Sequence, residues 1–263
     1  MLDELRLNTV CQSAKCPNRG ECFSSGTATF LIMGDACTRG CRFCAVETRS
    51  PDPLDPDEPR RVGEAAARLG LRHVVVTTVT RDDISDGGAA HFVAVIDAVR
   101  AAAPDAAVEV LTSDFAGQLE SVDAVAAARP DVFNHNLETV PRLYSEVRPG
   151  ADYERSLSVL ERAHSRQPDL PTKSGVMLGL GETPDEVRGV MSDLLGMGVT
   201  MLTLGQYLRP SAAHLPVAEF VDPTVFAELA RDAHKLGFSA VASAPFVRSS
   251  YHAGELADQQ AST

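Results

Sequence analysis

Residues 35–45 read DACTRGCRFCA, in which Cys37, Cys41 and Cys44 are spaced as C-x3-C-x2-C. The apolar run at 30–33, directly before them, predicts a buried strand, so the thiols follow on a loop. Three thiolates this close together can bind a four-iron, four-sulfur cluster, because iron in such clusters prefers thiolate ligands. A cubane has four iron corners, so three ligands leave one iron open to a small molecule.

Zinc and disulfide bonds are the alternative uses of these cysteines. A structural zinc site needs four nitrogen or sulfur ligands, usually as two C-x2-C pairs, and only Cys41 and Cys44 have that spacing. The sequence has no second C-x2-C or H-x3-H pair to complete such a site. Disulfide frameworks are typical of short secreted chains, whereas this chain has 6 cysteines in 263 residues and no secretory signal. The spacing therefore favours iron and sulfur.

A second cysteine triplet precedes the first, with the spacing C-x4-C-x5-C. Pro17 and Gly20 lie inside it and are expected to break any helix, so we expect these thiols to lie on a loop that can fold around a ligand. The two triplets use every cysteine of the chain, which favours two separate clusters over one site with unrelated cysteines. The members of this triplet are Cys11, Cys16 and Cys22.

Composition limits the class of protein. The 36 acidic residues exceed the 24 Lys and Arg residues, which gives a formal net charge of −12 and disfavours nucleic acid or an anionic membrane as a partner. No apolar run approaches the roughly 18 residues that a membrane helix needs. The first six residues include Asp3 and Glu4 and contain no apolar core, so neither secretion nor organelle import is indicated. We expect a cytoplasmic protein, whose reducing environment suits thiolates kept for a cluster.

Apolar, β-branched runs alternate with Ala- and Leu-rich helical patterns from residue 27 onward. This alternation predicts a parallel sheet, and six or seven units indicate an α/β fold of the partial parallel (β/α)6 TIM-type barrel class. The expected strands span 29–33, 72–79, 108–112, 131–135, 173–178, 201–204 and 238–242. The expected helices span 59–69, 89–103, 118–128, 153–165, 184–195 and 223–235.

Polar residues concentrate just after these strands, where parallel barrels gather their reactive groups. Asn136 and Glu138 are two residues apart, so both side chains can point the same way and hold a ribose or amino group, although they could instead cap a helix. Lys173 is either solvated at a strand edge or points inward, where its charge needs an anionic partner. The expected cofactor contacts on this rim are Phe43, Thr78, Asn136, Glu138, Lys173, Gln206 and Tyr207.

The first motif, with Phe43 as its aromatic residue, resembles the cluster-binding loop of the radical S-adenosylmethionine (SAM) superfamily. In that superfamily the open iron binds the amino and carboxylate groups of SAM. An electron from the cluster then cleaves the sulfonium to a 5'-deoxyadenosyl radical, which removes hydrogen from unactivated carbon. The resemblance implies that Cys37, Cys41 and Cys44 hold such a cluster.

Within that superfamily, the chain resembles the lipoyl synthase family through motifs that run from residue 10 to about residue 255. The combination of the two triplets is the specific part. Further motifs are TRDD at 80–83, NHNLETV at 134–140, GLGE at 179–182, GQYLRPS at 205–211 and RSSY at 248–251. The resemblance implies insertion of two sulfur atoms at carbons six and eight of a protein-bound octanoyl-lysine, which forms the lipoyl cofactor.

The same resemblance implies a second four-iron cluster on Cys11, Cys16 and Cys22, which is consumed as the sulfur donor. A serine of the C-terminal tail, Ser249 or Ser250, is expected to complete this auxiliary cluster as a catalytic ligand. An alkoxide is a harder ligand than a thiolate, so its iron should be the easiest to lose. The expected organisation is an N-terminal auxiliary-cluster segment over 1–26, the barrel over 27–245 and the tail over 246–263.

The partners implied are octanoylated lipoyl carrier domains or a glycine cleavage H protein, an electron donor such as ferredoxin or flavodoxin, and an iron–sulfur carrier that rebuilds the spent cluster. Two other functions stay open at this point. One is another radical SAM sulfur-inserting enzyme that acts on a free small molecule, as biotin synthase does. The other is a zinc-stabilised barrel that binds a partner without chemistry.

Overall fold

The computed structural model describes residues 2, 4–10, 16 and 18–261. Cys11 lies outside the described residues. Within them, eight strands form one sheet, in the spatial order β1-β2-β5-β6-β7-β8-β9-β10, and β3 and β4 form a separate pair. The strands are β1 (Asn8–Thr9), β2 (Thr27–Ile32), β3 (Ala36–Cys37), β4 (Glu47–Thr48), β5 (His73–Thr78), β6 (Ala107–Leu111), β7 (Val132–Asn134), β8 (Thr172–Leu178), β9 (Met201–Gln206) and β10 (Ala240–Ser243).

The helices lie between these strands in regular alternation. Each of the six strands from β2 to β9 in the main sheet is followed by a helix of at least nine residues, which confirms the predicted six units. The helices are α1 (Arg19–Ser24), α2 (Glu58–Leu69), α3 (Ala89–Ala102), α4 (Leu119–Ala127), α5 (Tyr144–Val147), α6 (Tyr153–Arg166), α7 (Pro184–Gly196), α8 (Pro223–Leu236) and α9 (Ala253–Ala261).

The sheet is a partial barrel, as predicted. Strands β2 to β10 of the main sheet pair in parallel and in chain order, whereas β1 pairs antiparallel with β2 at one edge. The opposite edge is β10, and the described strands do not close the sheet into a ring. Every residue of β2 and β9 is buried, which is why these strands are apolar runs rather than alternating patterns.

Local sequence signals explain where several helices begin and end. Helix α7 begins with a capping box, in which the Thr183 side chain and the Glu186 side chain bond each other's backbone N–H. Helix α2 ends at Gly70, whose φ of 60° is the left-handed conformation that glycine adopts most easily. Gly63 lets α2 approach α3 closely, because a Cβ there would lie 2.5 Å from the Ala98 carbonyl oxygen. These contacts fix the helices on the outer face of the sheet.

The N-terminal segment differs from the prediction at α1. We predicted that Gly20 breaks any helix, but residues 19–24 are helical, and Cys22 lies on this helix with its N–H bonded to the Asn18 carbonyl at 3.0 Å. A single glycine in a helix costs only about 1 kcal/mol relative to alanine, and burial of Cys22 outweighs it. The expectation of a loop is therefore wrong for Cys22.

Lys173 points into the barrel, where it is completely buried. Its Nζ lies 2.9 Å from Glu109 Oε1, and His73 Nε2 lies 3.3 Å from Glu109 Oε2. The anionic partner that an inward lysine requires is thus Glu109. Burial raises the pKa of Glu109, but the charge of Lys173 and the contacts with His73 outweigh burial and hold the pKa below its ordinary value of 4.5.

We expect Lys173→Met to lower the free energy of unfolding by about 3–5 kcal/mol, because it leaves a buried carboxylate without a cation. The double variant Lys173→Met/Glu109→Gln should recover most of that loss, as measured by urea unfolding at pH 7. Because the folded pKa of Glu109 is lowered, its contribution is full above pH 4.5 and is lost as the pH falls further. If Lys173→Met were as stable as wild type, the ion pair between Lys173 and Glu109 would not contribute to the free energy of unfolding.

Candidate active site

The first cysteine loop leaves the barrel through a tight turn at Met33. The backbone there has φ of 67°, which is uncommon for a residue with a side chain. Glu58 Oε2 accepts a hydrogen bond from the Met33 N–H at 2.8 Å, and Arg81 Nη1 donates to the Met33 carbonyl at 3.2 Å. His91 Nε2 contacts the same Glu58 oxygen at 2.7 Å. These contacts set the direction in which the loop departs.

Arg39 then clamps the loop onto the rim. Its guanidinium binds both carboxylate oxygens of Asp82, after β5, at 2.7 Å, and it binds Asp114, after β6, at 2.8 Å. Thr38 adds a backbone bond to the Thr80 carbonyl at 3.1 Å. Burial raises the pKa of Asp114, but its bonds and charge interactions with Arg39 and Arg155 bring it well below the usual range. The sequence places Asp82 in the family motif at 80–83 but does not indicate this clamp.

We expect Arg39→Ala to lower the free energy of unfolding by about 2–3 kcal/mol, because it removes charge-assisted bonds to a nearly buried carboxylate. The iron bound after anaerobic reconstitution should fall in the same variant. Urea unfolding and iron analysis measure both effects. Arg60→Ala is the matched control, because Arg60 makes equally short but exposed ion pairs, which contribute little. Equal losses in the two variants would contradict the clamp.

The three thiols of the loop face one another at the rim. Cys37 Sγ accepts hydrogen bonds from the N–H groups of Thr80 at 3.3 Å and Arg39 at 3.5 Å, which suit a thiolate. Burial, together with the neighbouring charges of Cys41 and Cys37, raises the pKa of Cys44 to about 11. Such thiols stay protonated until a cation displaces their protons. All three are partly exposed, so a cluster can reach them.

This donor set fits an iron–sulfur cluster, because it consists of three soft sulfurs with backbone N–H groups directed at one of them. Among residues 2, 4–10, 16 and 18–261, no three His, Cys, Asp or Glu side chains converge on a point suited to a single metal ion. The loop is fixed at its far end by His214, whose Nε2 lies 2.9 Å from the Cys44 carbonyl oxygen. Phe43 packs against the hydrophobic core beside it.

Asn136 and Glu138 lie together beside the thiols, although both follow the end of β7 rather than lying on the strand. Asn136 Nδ2 donates to Glu138 Oε1 at 3.0 Å, and Glu138 adopts φ of 67° just past the end of β7. Burial raises the pKa of Glu138 above its ordinary value, and the opposing effects of the Arg148 charge and the Asn136 hydrogen bond are smaller. The charge of Glu138 in turn acts on Cys41 and Cys44. The two side chains therefore line the space next to the open side of the cysteine loop.

Three other expected cofactor contacts have their polar atoms in bonds within the protein. Gln206 Nε2 donates to the Tyr207 and Glu219 carbonyls at 3.0 Å, and Gln206 Oε1 accepts from the Val221 N–H at 2.9 Å. Tyr207 donates its hydroxyl proton to the Leu215 carbonyl at 2.8 Å. Thr78 donates to the Val79 carbonyl at 2.6 Å. Gln206 and Tyr207 thus hold the loop after β9, and cofactor contact by these residues stays a prediction.

The C-terminal tail packs on the N-terminal cysteine segment. Asn18 Nδ2 donates to the Phe246 carbonyl at 2.7 Å, and Glu21 Oε1 accepts from Tyr251 Oη at 3.2 Å and lies 2.9 Å from His252 Nε2. Cys16 is partly exposed on this surface. Its charge acts on Arg248 of the tail. The motif RSSY is therefore next to the described part of the second triplet.

Ser249 turns from this tail into the barrel mouth. Its hydroxyl donates to Asn136 Oδ1 at 2.7 Å and lies 3.4 Å from Asn134 Nδ2. Ser250 follows it in the same turn and is partly exposed. Through Asn136 and Glu138, Ser249 is connected to the space beside the first cysteine triplet. The tail thus contacts the barrel mouth through Ser249 and the N-terminal segment through Phe246 and His252.

None of the described helices combines the length and apolarity that a bilayer-spanning segment needs.

In a solved structure of coproporphyrinogen III oxidase from Escherichia coli, described as a radical SAM enzyme, the same fold recurs. Its TM-score is 0.58 at 13% identity, and the match covers 86% of this chain and 58% of that one. Identity this low shows likeness of fold alone.

Sequence similarity is much higher to proteins named lipoyl synthase. One from Methylococcus capsulatus is 59% identical over 99% of this chain and 80% of its own length. Another, from Caldanaerobacter subterraneus, is 60% identical over 96% of this chain and 88% of its own length. The family model of the radical SAM superfamily matches residues 31–194, from the end of β2 into α7. The chain belongs to the lipoyl synthase family of the radical SAM superfamily.

Proposed function

We propose that this chain is a lipoyl synthase, a radical SAM sulfurtransferase that inserts two sulfur atoms into an octanoyl-lysine of a carrier protein. The observation that carries the proposal is the position of the RSSY tail, which contacts Asn136 through Ser249 and packs on the N-terminal segment, in a chain about 60% identical to a lipoyl synthase. A zinc-stabilised binding barrel is not favoured, because the superfamily of the chain uses SAM and a four-iron cluster.

In this proposal Cys37, Cys41 and Cys44 hold the SAM cluster, which supplies the electron that cleaves SAM to a carbon radical. Arg39 keeps the loop on the rim through Asp82 and Asp114. The adjacent pair of Asn136 and Glu138 offers a buried amide and a carboxylate, which can orient the amino or ribose groups of SAM. Phe43 packs against the core and so helps to fix Cys44, which directly follows it.

The second cluster, on Cys11, Cys16 and Cys22 with a tail serine, is the proposed sulfur source. Contacts between Asn18 and Phe246 and between Glu21 and His252 support this, because they hold the tail against the N-terminal segment. Segments 1–26 and 246–263 then act as one unit on the barrel of residues 27–245. With both clusters at one mouth, a single octanoyl arm can meet the radical and the sulfur donor in turn.

The chemistry also defines the partners. The substrate is an octanoylated lipoyl carrier domain or glycine cleavage H protein, and a low-potential donor such as ferredoxin or flavodoxin supplies the electrons. An iron–sulfur carrier rebuilds the consumed cluster. We place this activity in the cytoplasm, because thiolates reserved for clusters need a reducing compartment. The net charge of −12 supports protein partners rather than nucleic acid or anionic membranes.

The test is anaerobic reconstitution followed by product analysis. Two clusters predict about eight irons and eight sulfides per chain. Mass spectrometry should detect two added sulfur atoms on an octanoylated carrier domain and none on free octanoate. Sulfur insertion into free octanoate alone would instead indicate an enzyme that acts on a small molecule. Zinc without acid-labile sulfide would contradict the cluster assignment altogether.

The two tail serines can be separated by a matched pair of variants. Because Ser249 points into the mouth and Ser250 follows it in the turn, we expect Ser249→Ala to lose product and to lower auxiliary iron by about one per chain. Ser250→Ala should keep both product formation and the full amount of auxiliary iron. Iron analysis and product mass measure the difference. The reverse pattern would assign the ligand to Ser250.

A further inference from the structure

Arg148 lies beside the cysteine loop and was not singled out by sequence analysis. It directly follows α5, and the Val147 carbonyl accepts a hydrogen bond from the Arg42 N–H at 2.9 Å. That backbone bond joins the residue before Arg148 to the residue after Cys41. The guanidinium is consequently near Cys41, and its positive charge lowers the pKa of that thiol.

The guanidinium is held rigidly in this position. Arg148 Nη1 donates to the carbonyls of Asn136 at 3.0 Å and Leu137 at 3.2 Å, and to Tyr144 Oη at 2.7 Å. Its carbon Cζ lies 5.2 Å from the centroid of the Tyr144 ring, within cation–π range. A planar fork with several donors can make all these bonds at once, which the ammonium group of a lysine cannot.

Few other charged groups lie near Arg148 on the side that faces Cys41. His135 stays neutral at pH 7, because burial and the charge of Arg148 lower its pKa to about 4. The opposing charges on Arg148 come from Glu138, Cys41 and Asp114, and Asp114 is already paired with Arg39. Arg148 Nε is buried and has no hydrogen-bond partner within the described residues. Its positive charge is thus directed at the cysteine site rather than neutralised by a dedicated ion pair.

We propose that Arg148 raises the reduction potential of the SAM cluster by holding a fixed positive charge against its Cys41 ligand. This inference rests on the proposed function of the cysteine loop. The cluster takes one electron from a low-potential one-electron donor, no bond or proton changes, and the cluster becomes one unit more negative. A nearby cation in a poorly solvated site stabilises that more negative state. Arg148 touches no reacting atom, so it is a positioning residue.

The test is an anaerobic redox titration of the reconstituted full-length protein, followed by electron paramagnetic resonance. The signal to follow is the one that changes when SAM is added, because it reports the cluster with the open iron. In Arg148→Met the ratio of reduced to oxidised cluster at a fixed potential should fall about tenfold, which is about 59 mV for one electron. Arg148→Lys keeps the charge but loses the fork, so its ratio should fall less.

Arg142→Met is the matched control, because this arginine is in the same segment but is exposed and pairs with Glu186. Its titration should equal that of wild type. An unchanged ratio in Arg148→Met with full cluster iron would overturn the inference and leave the proposed function intact. If Arg148→Met does not fold, an unchanged ratio in Arg148→Lys with full cluster iron would also overturn it. A wild-type protein without a SAM-responsive signal would overturn the proposed function itself.

Discussion

Cys37→Ala is expected to abolish SAM cleavage, with at least a ~100-fold loss of 5'-deoxyadenosine formation. Cys37 Sγ accepts hydrogen bonds from the backbone N–H groups of Thr80 and Arg39, which hold this thiol in place at the rim. Alanine removes one of three ligands, and we expect the two remaining thiolates to be too few to retain the cluster. The measurement is 5'-deoxyadenosine by liquid chromatography after reduction of the reconstituted variant.

The control for that experiment is the second cluster, which Cys37→Ala should leave in place. Iron should therefore fall from about eight to about four per chain, rather than to zero. Loss of all iron would mean that the variant is misfolded or that the two triplets share one cluster. Undiminished 5'-deoxyadenosine would show that the C-x3-C-x2-C loop is not the SAM site.

The second large effect is expected from the auxiliary triplet. Cys16→Ala, and likewise Cys11→Ala, should retain SAM cleavage but yield no thiolated octanoyl product. The physical reason is that, in the proposed function, the cysteine loop generates the radical whereas a separate auxiliary cluster supplies the sulfur. Mass spectrometry of an octanoylated carrier domain, with 5'-deoxyadenosine measured in the same reaction, separates the two activities.

Cys37→Ala and Cys16→Ala are controls for each other, because each should lose one cluster and keep the other. If Cys16→Ala still made lipoyl groups, the assignment of the second cluster as the sulfur donor would be wrong. Cys16→Ala that also loses SAM cleavage would show that the two sites are coupled in folding, and the unfolding midpoint of the variant would reveal that. Retained cleavage without product is the outcome that the proposed function requires.

Local patterns were sufficient for the barrel. Apolar runs bounded by Gly and Pro predicted the strands that became β2 and β5 to β10, with boundaries within a few residues. This succeeded because a parallel strand buried on both faces is mostly a continuous run of apolar residues. The prediction failed at α1, because a glycine and a proline were interpreted without the buried surface that stabilises a short helix over Cys22.

The sequence by itself determined the fold class, the two cysteine triplets and the family, because strand periodicity and thiol spacing are properties of neighbouring residues. Only the tertiary structure showed that Arg39 joins Asp82 and Asp114, that Lys173 neutralises Glu109, and that Arg148 faces Cys41. Arg39 is 43 positions from Asp82 and 75 positions from Asp114, and Lys173 is 64 positions from Glu109. Ion pairs between distant positions depend on which loops meet at the rim, and charge alone does not select one partner among many.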